Sequence, residues 1–185
     1  MSTRTVQATR GAGNACESIP AWVGGRLVPV EKLEVHRRGL RHKAVSVFVL
    51  CGDEILIQRR ALGKYHTPGL WANTCCTHPR WGENAEDCAH RRLDEELGLR
   101  EIDLQYRDRV SYRADVGGGL IEDERVDIFI ARLFDKPRPV PNPDEVMDTA
   151  WAGLADLAER VRASPDHFTP WLRIYLSKHA GQIFA

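Results

Sequence analysis

The stretch that most constrains the fold of this chain is residues 71–99, WANTCCTHPRWGENAEDCAHRRLDEELGL. It combines two adjacent cysteines, histidine, two tryptophans and an acidic helical segment. A purely structural segment rarely holds reactive groups at this density. We therefore predict a strand, a loop and a helix here, and we expect the functional groups of the protein to gather around them.

The second half of this stretch has the start and stop signals of a helix. Asn84 suits the N-cap position, with Asp87 three residues later, and Gly98 suits the C-terminal stop. At about 100° per residue, one broad face is apolar and contains Ala85, Cys88, Ala89, Leu93 and Leu97. The pattern predicts a helix that packs this face on the core.

Two charged residues, Arg92 and Glu96, fall inside the apolar arc of the predicted helix. A carboxylate on a buried face needs a partner. One interpretation is a self-contained ion pair between Arg92 and Glu96, one turn apart. The other is that Glu96 faces a metal ion or an anionic site. Helical spacing by itself leaves both interpretations open.

Length and composition favour one domain. A chain of 185 residues with 43% hydrophobic residues can bury a sizeable core. Its net charge of zero argues against an electrostatic nucleic-acid binder, and no apolar run reaches the roughly 18 residues of a membrane span. Five cysteines without a CxxC pair favour a reduced, cytoplasmic protein. Residues 1–24 are predicted to be a disordered extension, and residues 25–185 to form the domain.

Apolar periodicity outlines the rest of the chain. We predict strands at residues 25–30, 44–50, 54–58, 120–134 and 144–152, and helices at 155–163 and 168–178. Pro29 indicates an edge position for the first strand. Gly52 and Asp53 are typical of a hairpin turn, and His36 and His42 are predicted to bracket a basic loop.

Several polar residues have both a structural and a functional interpretation. Cys75 and Cys76 are adjacent in a predicted strand, so their side chains point to opposite faces, and spacing alone does not say which one lines a pocket. Glu122 and Glu124 share one strand face, where acidic residues are usually exposed and aid solubility. The basic residues that follow the strand at 54–58 are usually a solvated edge.

The sequence RRLDEELGL at residues 91–99 resembles the end of a Nudix box, the loop and helix with the consensus G-x5-E-x7-R-E-U-x-E-E-x-G-U, in which U is a bulky aliphatic residue. The matching residues are Glu83, Arg91, Leu93, Glu95, Glu96, Gly98 and Leu99. Thr77 replaces the first glycine, and Arg92 replaces the first glutamate of the R-E pair. Nudix hydrolases use this helix to hold the divalent ions that assist diphosphate cleavage, so Arg92 argues against ordinary hydrolysis.

The flanking motifs resemble one branch of that superfamily, the type I isopentenyl-diphosphate isomerases. They occur in family order across about residues 27–175, as PGLWANTCCTHP, RRLDEELG, SYRA, IEDERVDIF, NPDEVMD and FTPW. The resemblance implies a single-domain α+β fold, a Nudix-like α/β/α sandwich with a mixed sheet. It also implies interconversion of isopentenyl diphosphate and dimethylallyl diphosphate by a 1,3-allylic proton shift, a step of isoprenoid biosynthesis.

The resemblance implies roles for particular residues as well. The residues implied for catalysis are Cys76, Glu124, Tyr112 and Trp171. Glu124 with Tyr112 is the implied proton donor and Cys76 the implied acceptor, an order that is open to reversal. Trp171, and with it Trp71, would form an aromatic wall around the cationic centre. The residues implied to bind the diphosphate are Lys32, Arg60, Lys64 and Arg92.

Two divalent ions are implied in the same way. The ligands implied for a manganese, magnesium or zinc ion are His36, His42, His78, Glu122 and Glu124, whose imidazole and carboxylate groups suit such ions. A second ion, magnesium bound mainly through the diphosphate oxygens, would use Glu96.

Two other functions remain as alternatives, a Nudix diphosphohydrolase acting on a nucleotide derivative and a catalytically silent Nudix-like binding module. Replacement of Cys76 or Glu124 would stop an isomerase and leave a binding module unaffected. The expected partner is a small allylic or homoallylic diphosphate, with no nucleic acid and no membrane. We expect a monomer or a weak homo-oligomer.

Overall fold

One mixed sheet of nine strands forms the centre of the computed structural model, which describes residues 17–185. The strands are β1 (Ser18–Val23), β2 (Arg26–Glu31), β3 (Arg41–Cys51), β4 (Glu54–Arg60), β5 (Trp71–Ala72), β6 (Cys75–Thr77), β7 (Gln105–Gly117), β8 (Leu120–Leu133) and β9 (Val146–Gly153). The helices are α1 (Lys32–Arg38), α2 (Ala85–Leu97), α3 (Leu154–Ala163), α4 (Pro170–Lys178) and α5 (Ala180–Phe184). None of the helices in this part of the chain is long and apolar enough to span a bilayer.

Strand β3 lies at the centre of the sheet. It pairs in parallel with β8 along its whole length, and antiparallel with β1, β4 and β6. Strand β7 joins the outer edge of β8, while β9 and β5 pair with β4, all antiparallel. Strand β2 pairs with β1 at the end of the sheet, so Pro29 lies in an edge strand as predicted.

Helices cover both faces of the sheet. Val45, Val47 and Val49 of β3 pack with Leu93 of α2 on one face. The alternate residues of β3, including Phe48, pack with α3 and α4 on the other face. This arrangement confirms the α/β/α sandwich with a mixed sheet that the resemblance implies.

Helix α2 begins and ends where the sequence predicts. The Asn84 side chain accepts a hydrogen bond from the Asp87 amide at 2.8 Å. Gly98 has a φ of 63°, in the left-handed region that glycine adopts at little cost. Leu93 and Leu97 are fully buried, and burial of such a side chain is worth about 1.5–3 kcal/mol. The predicted apolar face therefore holds the helix on the sheet.

The structure places β1 inside the segment 1–24 that was predicted to be a disordered extension. Pairing with β2, in the register from Ser18 opposite Glu31 to Val23 opposite Arg26, orders this strand. The domain therefore begins before the predicted boundary at residue 25. The part of the prediction that concerns residues 1–16 lies outside the described residues.

The predicted basic loop between His36 and His42 is wrong in its first half, because His36 lies in α1. The Glu31 side chain caps the start of this helix by accepting hydrogen bonds from two backbone amides at 2.9 and 2.8 Å. Gly39, with a φ of 57°, ends it. A helix of seven residues is too short to show a clear helical period in the sequence.

Candidate active site

A polar cluster occupies the N-terminal ends of the parallel strands β3 and β8. The register places His42 of β3 opposite Glu124 of β8, and Tyr112 of β7 opposite the same Glu124. Side chains opposite each other in a sheet point to the same side, here the side packed by α3 and α4. Glu122 lies two residues earlier in β8 and shares this side. Sheet register thus brings an imidazole, a phenol and two carboxylates together in the core.

Hydrogen bonds to the main chain orient two of the histidines. His36 Nδ1 lies 2.6 Å from the Lys32 carbonyl oxygen, and His42 Nδ1 lies 2.8 Å from the Leu40 carbonyl oxygen. A carbonyl oxygen only accepts, so each Nδ1 donates its hydrogen and the Nε2 of a neutral ring keeps its lone pair. Burial, and then the neighbouring His42, lowers the pKa of His36 to about 4, so its ring is neutral. Imidazoles held in this way are oriented as metal ligands.

His78 follows β6 and faces the same cluster. Its Nε2 lies 3.2 Å from His42 Nε2 and 2.9 Å from Glu124 Oε1. The ligand atoms of His36, His42 and His78 lie within 4.8 Å of one another. Ligands about 2.1 Å from one ion lie at most about 4 Å apart, so small shifts bring these three imidazoles to a single ion. Together with the carboxylates of Glu122 and Glu124, they are a donor set that fits a divalent ion.

Tyr112 bridges the two buried carboxylates. Its hydroxyl lies 2.9 Å from Glu122 Oε2 and 2.6 Å from Glu124 Oε2, and both glutamates are 2% exposed. Burial and the charge of Glu124 raise the pKa of Glu122. Burial alone would raise the pKa of Glu124 too, but the interactions of this carboxylate with His42 and His78 lower it. The interpretation of these glutamates as an exposed, solubilising strand face is therefore wrong.

The two adjacent cysteines point to opposite faces, as predicted. Cys75 is fully buried against α2. Cys76 faces the polar cluster, where Ser46 Oγ lies 3.6 Å and the Tyr175 hydroxyl 4.0 Å from its sulfur. Burial, and then the charge of Glu124, raises the pKa of the Cys76 thiol. Cys76 therefore holds its proton at neutral pH.

Basic side chains line a narrow cavity in front of the polar cluster. All four predicted diphosphate ligands contribute to it, namely Lys32, Arg60, Lys64 and Arg92. Trp171 lines the same cavity, and the Arg60 guanidinium lies 5.3 Å from the centroid of the Trp171 ring. Glu145, to which the sequence analysis gave no role, forms salt bridges with Lys64 and, at 3.3 Å, with Arg92. The excess of positive charge suits an anionic ligand.

Arg92 and Glu96 form the ion pair that one of the two interpretations predicts. Arg92 Nη2 and Nε lie 2.5 Å and 3.1 Å from Glu96 Oε1. Gln58 Nε2 donates to the second carboxylate oxygen at 2.8 Å. Arg92 also lines the cavity, so the pair reaches the space in which a ligand would bind. Within residues 17–185, Glu96 is not among the residues whose metal-ligand atoms cluster together, and its binding of magnesium stays a prediction.

His66 is a residue of this site that the sequence analysis missed. It lies between β4 and β5, is 6% exposed, and its Nε2 lies 3.5 Å from Glu122 Oε1. Its only sequence signal is its position two residues after the matched Lys64, and a lone histidine in a loop forms no motif. Four other polar residues of the site were missed because nothing in their sequence context marks them, namely Ser46, Gln58, Tyr65 and Tyr175. Glu145 lies in the NPDEVMD motif, but the sequence analysis gave it no role.

Comparison with known proteins identifies the family. Residues 40–172 match the NUDIX domain family. The isopentenyl-diphosphate Delta-isomerase of Jannaschia sp. (strain CCS1) is 66% identical over 166 residues, which cover 90% of this chain and 94% of the relative. The protein of the same name from Cereibacter sphaeroides (strain KD131 / KCTC 12085) is 64% identical over 168 residues, which cover 91% of this chain and 95% of the relative.

Solved structures share the fold at much lower sequence identity. DR0079 from Deinococcus radiodurans matches with a TM-score of 0.70 at 14% identity, covering 86% of this chain and 97% of that protein. A MutT NUDIX hydrolase from Burkholderia pseudomallei matches with a TM-score of 0.58 at 22% identity, covering 75% of this chain and 98% of that protein. At such identities the likeness establishes the fold and not the chemistry.

Sequence motifs, fold and relatives agree on one assignment. The NUDIX match spans the sheet from the start of β3 to α4. The high identity to named relatives over 90% of the chain selects one branch within that fold. The chain belongs to the isopentenyl-diphosphate Delta-isomerase family of NUDIX-domain proteins.

Proposed function

We propose that the cavity around Cys76 and Glu124 is the active site in which this chain interconverts isopentenyl diphosphate and dimethylallyl diphosphate. The chain's relatives at 64–66% identity are named for that isomerisation. One observation carries the assignment of the site. A thiol, a buried carboxylate and a set of basic side chains line the same narrow cavity.

Cys76 and Glu124 are the proposed acid and base. The reaction adds a proton to the terminal alkene carbon and removes one from the carbon next to the oxygen-bearing carbon, so it needs one donor and one acceptor. The raised pKa of Cys76 favours a protonated thiol, and the lowered pKa of Glu124 favours an ionised carboxylate. The site thus holds one proton donor and one proton acceptor. Cys76 is then the donor and Glu124 the acceptor, which is the reverse of the roles that the resemblance implies. Because the reaction is reversible, each group acts as acid in one direction and as base in the other.

Tyr112 is the proposed hydrogen-bond donor that positions Glu124. Its hydroxyl lies 2.6 Å from Glu124 Oε2, which is the short distance of a charge-assisted hydrogen bond. Burial, and then the charges of Glu122 and Glu124, raise the pKa of Tyr112, so its hydroxyl keeps its hydrogen and donates it. The phenol therefore stabilises the ionised carboxylate and holds its orientation toward the substrate.

Trp171 is the proposed wall for the cationic centre that forms between the two proton transfers. It is 1% exposed, in a core that excludes the water that would trap such a cation as an alcohol. The face of an indole stabilises a nearby cation by about 1–2 kcal/mol. Trp71 also packs against this core and is a secondary candidate.

The basic residues of the cavity are proposed to bind the diphosphate. Arginine and lysine donate charge-assisted hydrogen bonds to phosphate oxygens. The proposed contacts come from Lys32, Arg60, Lys64 and Arg92. Glu96 would help to hold a magnesium ion, which would supply further positive charge for the diphosphate. Arg92 occupies the position at which the Nudix consensus has a metal-binding glutamate. That substitution favours holding the diphosphate over cleaving it.

The imidazole cluster is proposed to hold a divalent ion of the manganese, magnesium or zinc type. The proposed ligands are His36, His42, His78, Glu122 and Glu124. When bound, such an ion supplies positive charge that offsets the two buried carboxylates and holds their orientation. The protein supports it with the two Nδ1 hydrogen bonds that aim the rings of His36 and His42.

We also propose a cytoplasmic location and a monomeric or weakly associating state. Among residues 17–185, Cys51, Cys75, Cys76 and Cys88 are free thiols, as is usual in a reducing compartment. Sedimentation of the purified protein over a range of concentrations measures the state of association.

Proton NMR in heavy water tests the proposed reaction. Purified protein is incubated with isopentenyl diphosphate and magnesium, and we expect dimethylallyl diphosphate with deuterium in its new methyl group. Release of phosphate without isomer would instead indicate a hydrolase. No reaction with metal supplied would indicate a binding module.

Variants of the acid–base pair test the proposed residues. We expect Cys76→Ala and Glu124→Gln each to lower turnover by about 10²- to 10⁴-fold while the far-ultraviolet circular dichroism stays that of the wild type. Cys51→Ala and Asp123→Asn are the matched controls, since Cys51 lies at the far end of β3 and Asp123 points to the opposite side of β8 from Glu124. Full activity in both site variants would show that the pair is wrong.

A further inference from the structure

We infer that His66 is an additional ligand of the buried metal centre, which makes it a centre of four imidazoles and two carboxylates. The inference rests on the metal site proposed above and adds to it a residue from the loop between β4 and β5. Neither the helix pattern nor the Nudix consensus points to this residue.

The position of His66 joins it to the other ligands. The ligand atoms of His36, His66 and Glu122 lie within 4.8 Å of one another. This group shares His36 with the group of His36, His42 and His78. Glu122 is a further member of the ligand set proposed above. The ring centroids of His36 and His66 are 5.6 Å apart, with the planes inclined by 30°. One ion between them can therefore contact both rings at their Nε2 edges.

Three contacts hold His66 in this orientation. Its Nδ1 lies 3.1 Å from Thr67 Oγ1, which leaves Nε2 directed at Glu122. Arg60 Nη2 donates to the His66 carbonyl oxygen at 3.1 Å. The ring also forms a T-shaped contact with the Trp171 ring, with centroids 5.8 Å apart. A hydrogen-bonded Nδ1 and a fixed ring are the support that metal-binding histidines receive.

The backbone next to His66 is strained. Thr67 has a φ of 47°, in the left-handed region that β-branched residues rarely adopt. Such strain persists where the surrounding structure requires it, and it is concentrated at functional sites. Here it turns the chain so that the Thr67 hydroxyl and the His66 imidazole face each other inside the protein.

The added imidazole changes which ions the centre prefers. Magnesium favours oxygen ligands, whereas imidazole suits zinc, iron and other transition ions. His66 raises the number of imidazoles from three to four against two carboxylates, so we expect it to strengthen the preference for a transition ion over magnesium. A purely structural His66 would only pack against Trp171 and lie beside Glu122.

Cobalt substitution counts the histidine ligands directly. A histidine bound through Nε2 keeps its Nδ1 hydrogen, and that proton gives a separate, strongly shifted exchangeable resonance near paramagnetic Co²⁺. We expect four such resonances from wild-type protein in normal water, three from His66→Ala, and four from His90→Ala. His90 is exposed on α2 and is the matched control. His66→Gln provides a second variant if His66→Ala fails to fold.

Each outcome of the cobalt experiment decides between the proposals. Three shifted resonances in the wild type would overturn the role of His66 while leaving the metal centre intact. The absence of any shifted resonance would overturn the metal centre as well. As a second measurement, competition with a chelator gives zinc affinity, which we expect to fall by about tenfold or more in His66→Ala and to stay unchanged in His90→Ala.

Discussion

Arg92 has two proposed partners, the buried Glu96 and the substrate diphosphate, and a double-mutant cycle separates them. In Arg92→Met, the Glu96 carboxylate loses both bonds from the guanidinium and keeps only the bond from Gln58. Removal of one member of a buried ion pair typically costs about 3–5 kcal/mol. The Arg92 side chain is 16% exposed and the Glu96 side chain 6% exposed. We therefore expect Arg92→Met to lower the free energy of unfolding by the lower end of this range, about 3 kcal/mol.

The double variant Arg92→Met/Glu96→Gln removes the unpaired charge. The amide oxygen of a glutamine at 96 still accepts from Gln58, so we expect most of the lost stability to return, with a coupling energy of about 2 kcal/mol. Urea unfolding followed by circular dichroism measures all four members of the cycle. The exposed Arg100, paired with Asp94, is the control, and Arg100→Met is expected to leave stability unchanged.

Binding of pyrophosphate with magnesium, measured by calorimetry, separates the two roles. Arg92→Met loses charged hydrogen bonds to pyrophosphate that are worth about 1.5–3 kcal/mol, so we expect its binding of pyrophosphate to weaken by about 10- to 100-fold. The double variant is expected to bind pyrophosphate as weakly, although its stability is restored. If the double variant regained wild-type affinity, Arg92 would be only a structural partner of Glu96. If the free energy of unfolding of Arg92→Met were within about 1 kcal/mol of the wild-type value, the argument that the buried ion pair stabilises the fold would fail.

Three further changes test other parts of the structure. Lys64→Met is expected to weaken pyrophosphate binding about tenfold by calorimetry; unchanged affinity would remove Lys64 from the diphosphate site. Hydrogen bonds from Arg91 lower the pKa of Glu83 below 4.5, so their stabilisation is complete at neutral pH and is lost as the pH falls through the lowered pKa. The difference in urea stability between wild type and Glu83→Gln, about 1 kcal/mol at pH 7, should therefore shrink below about pH 4.5, and a constant difference would contradict the pairing. Leu93→Ala is expected to cost about 2–5 kcal/mol without changing turnover per folded molecule, and a smaller cost would show that α2 packs more loosely than the structure indicates.

Local signals in the sequence determined the parts of the fold whose partners lie nearby in the chain. Asn84 and Gly98 marked the ends of α2 because a cap is satisfied within one helical turn. The opposite directions of Cys75 and Cys76 followed from strand alternation. The family resemblance, carried by several motifs in order, then indicated the fold and the family, which the comparisons confirmed.

Only the tertiary structure decided which polar groups meet. The inward direction of Glu122 and Glu124 depends on the parallel pairing of β8 with β3, a strand far from β8 in the sequence. The short helix α1, which carries His36, was read as a loop because seven residues hold too little periodicity. His66 comes to the cluster through the path of a loop, and its sequence neighbours do not encode that path. Caps and alternation depend on contacts within a few residues, whereas the convergence of a site depends on long-range register and loop geometry, which no local pattern specifies.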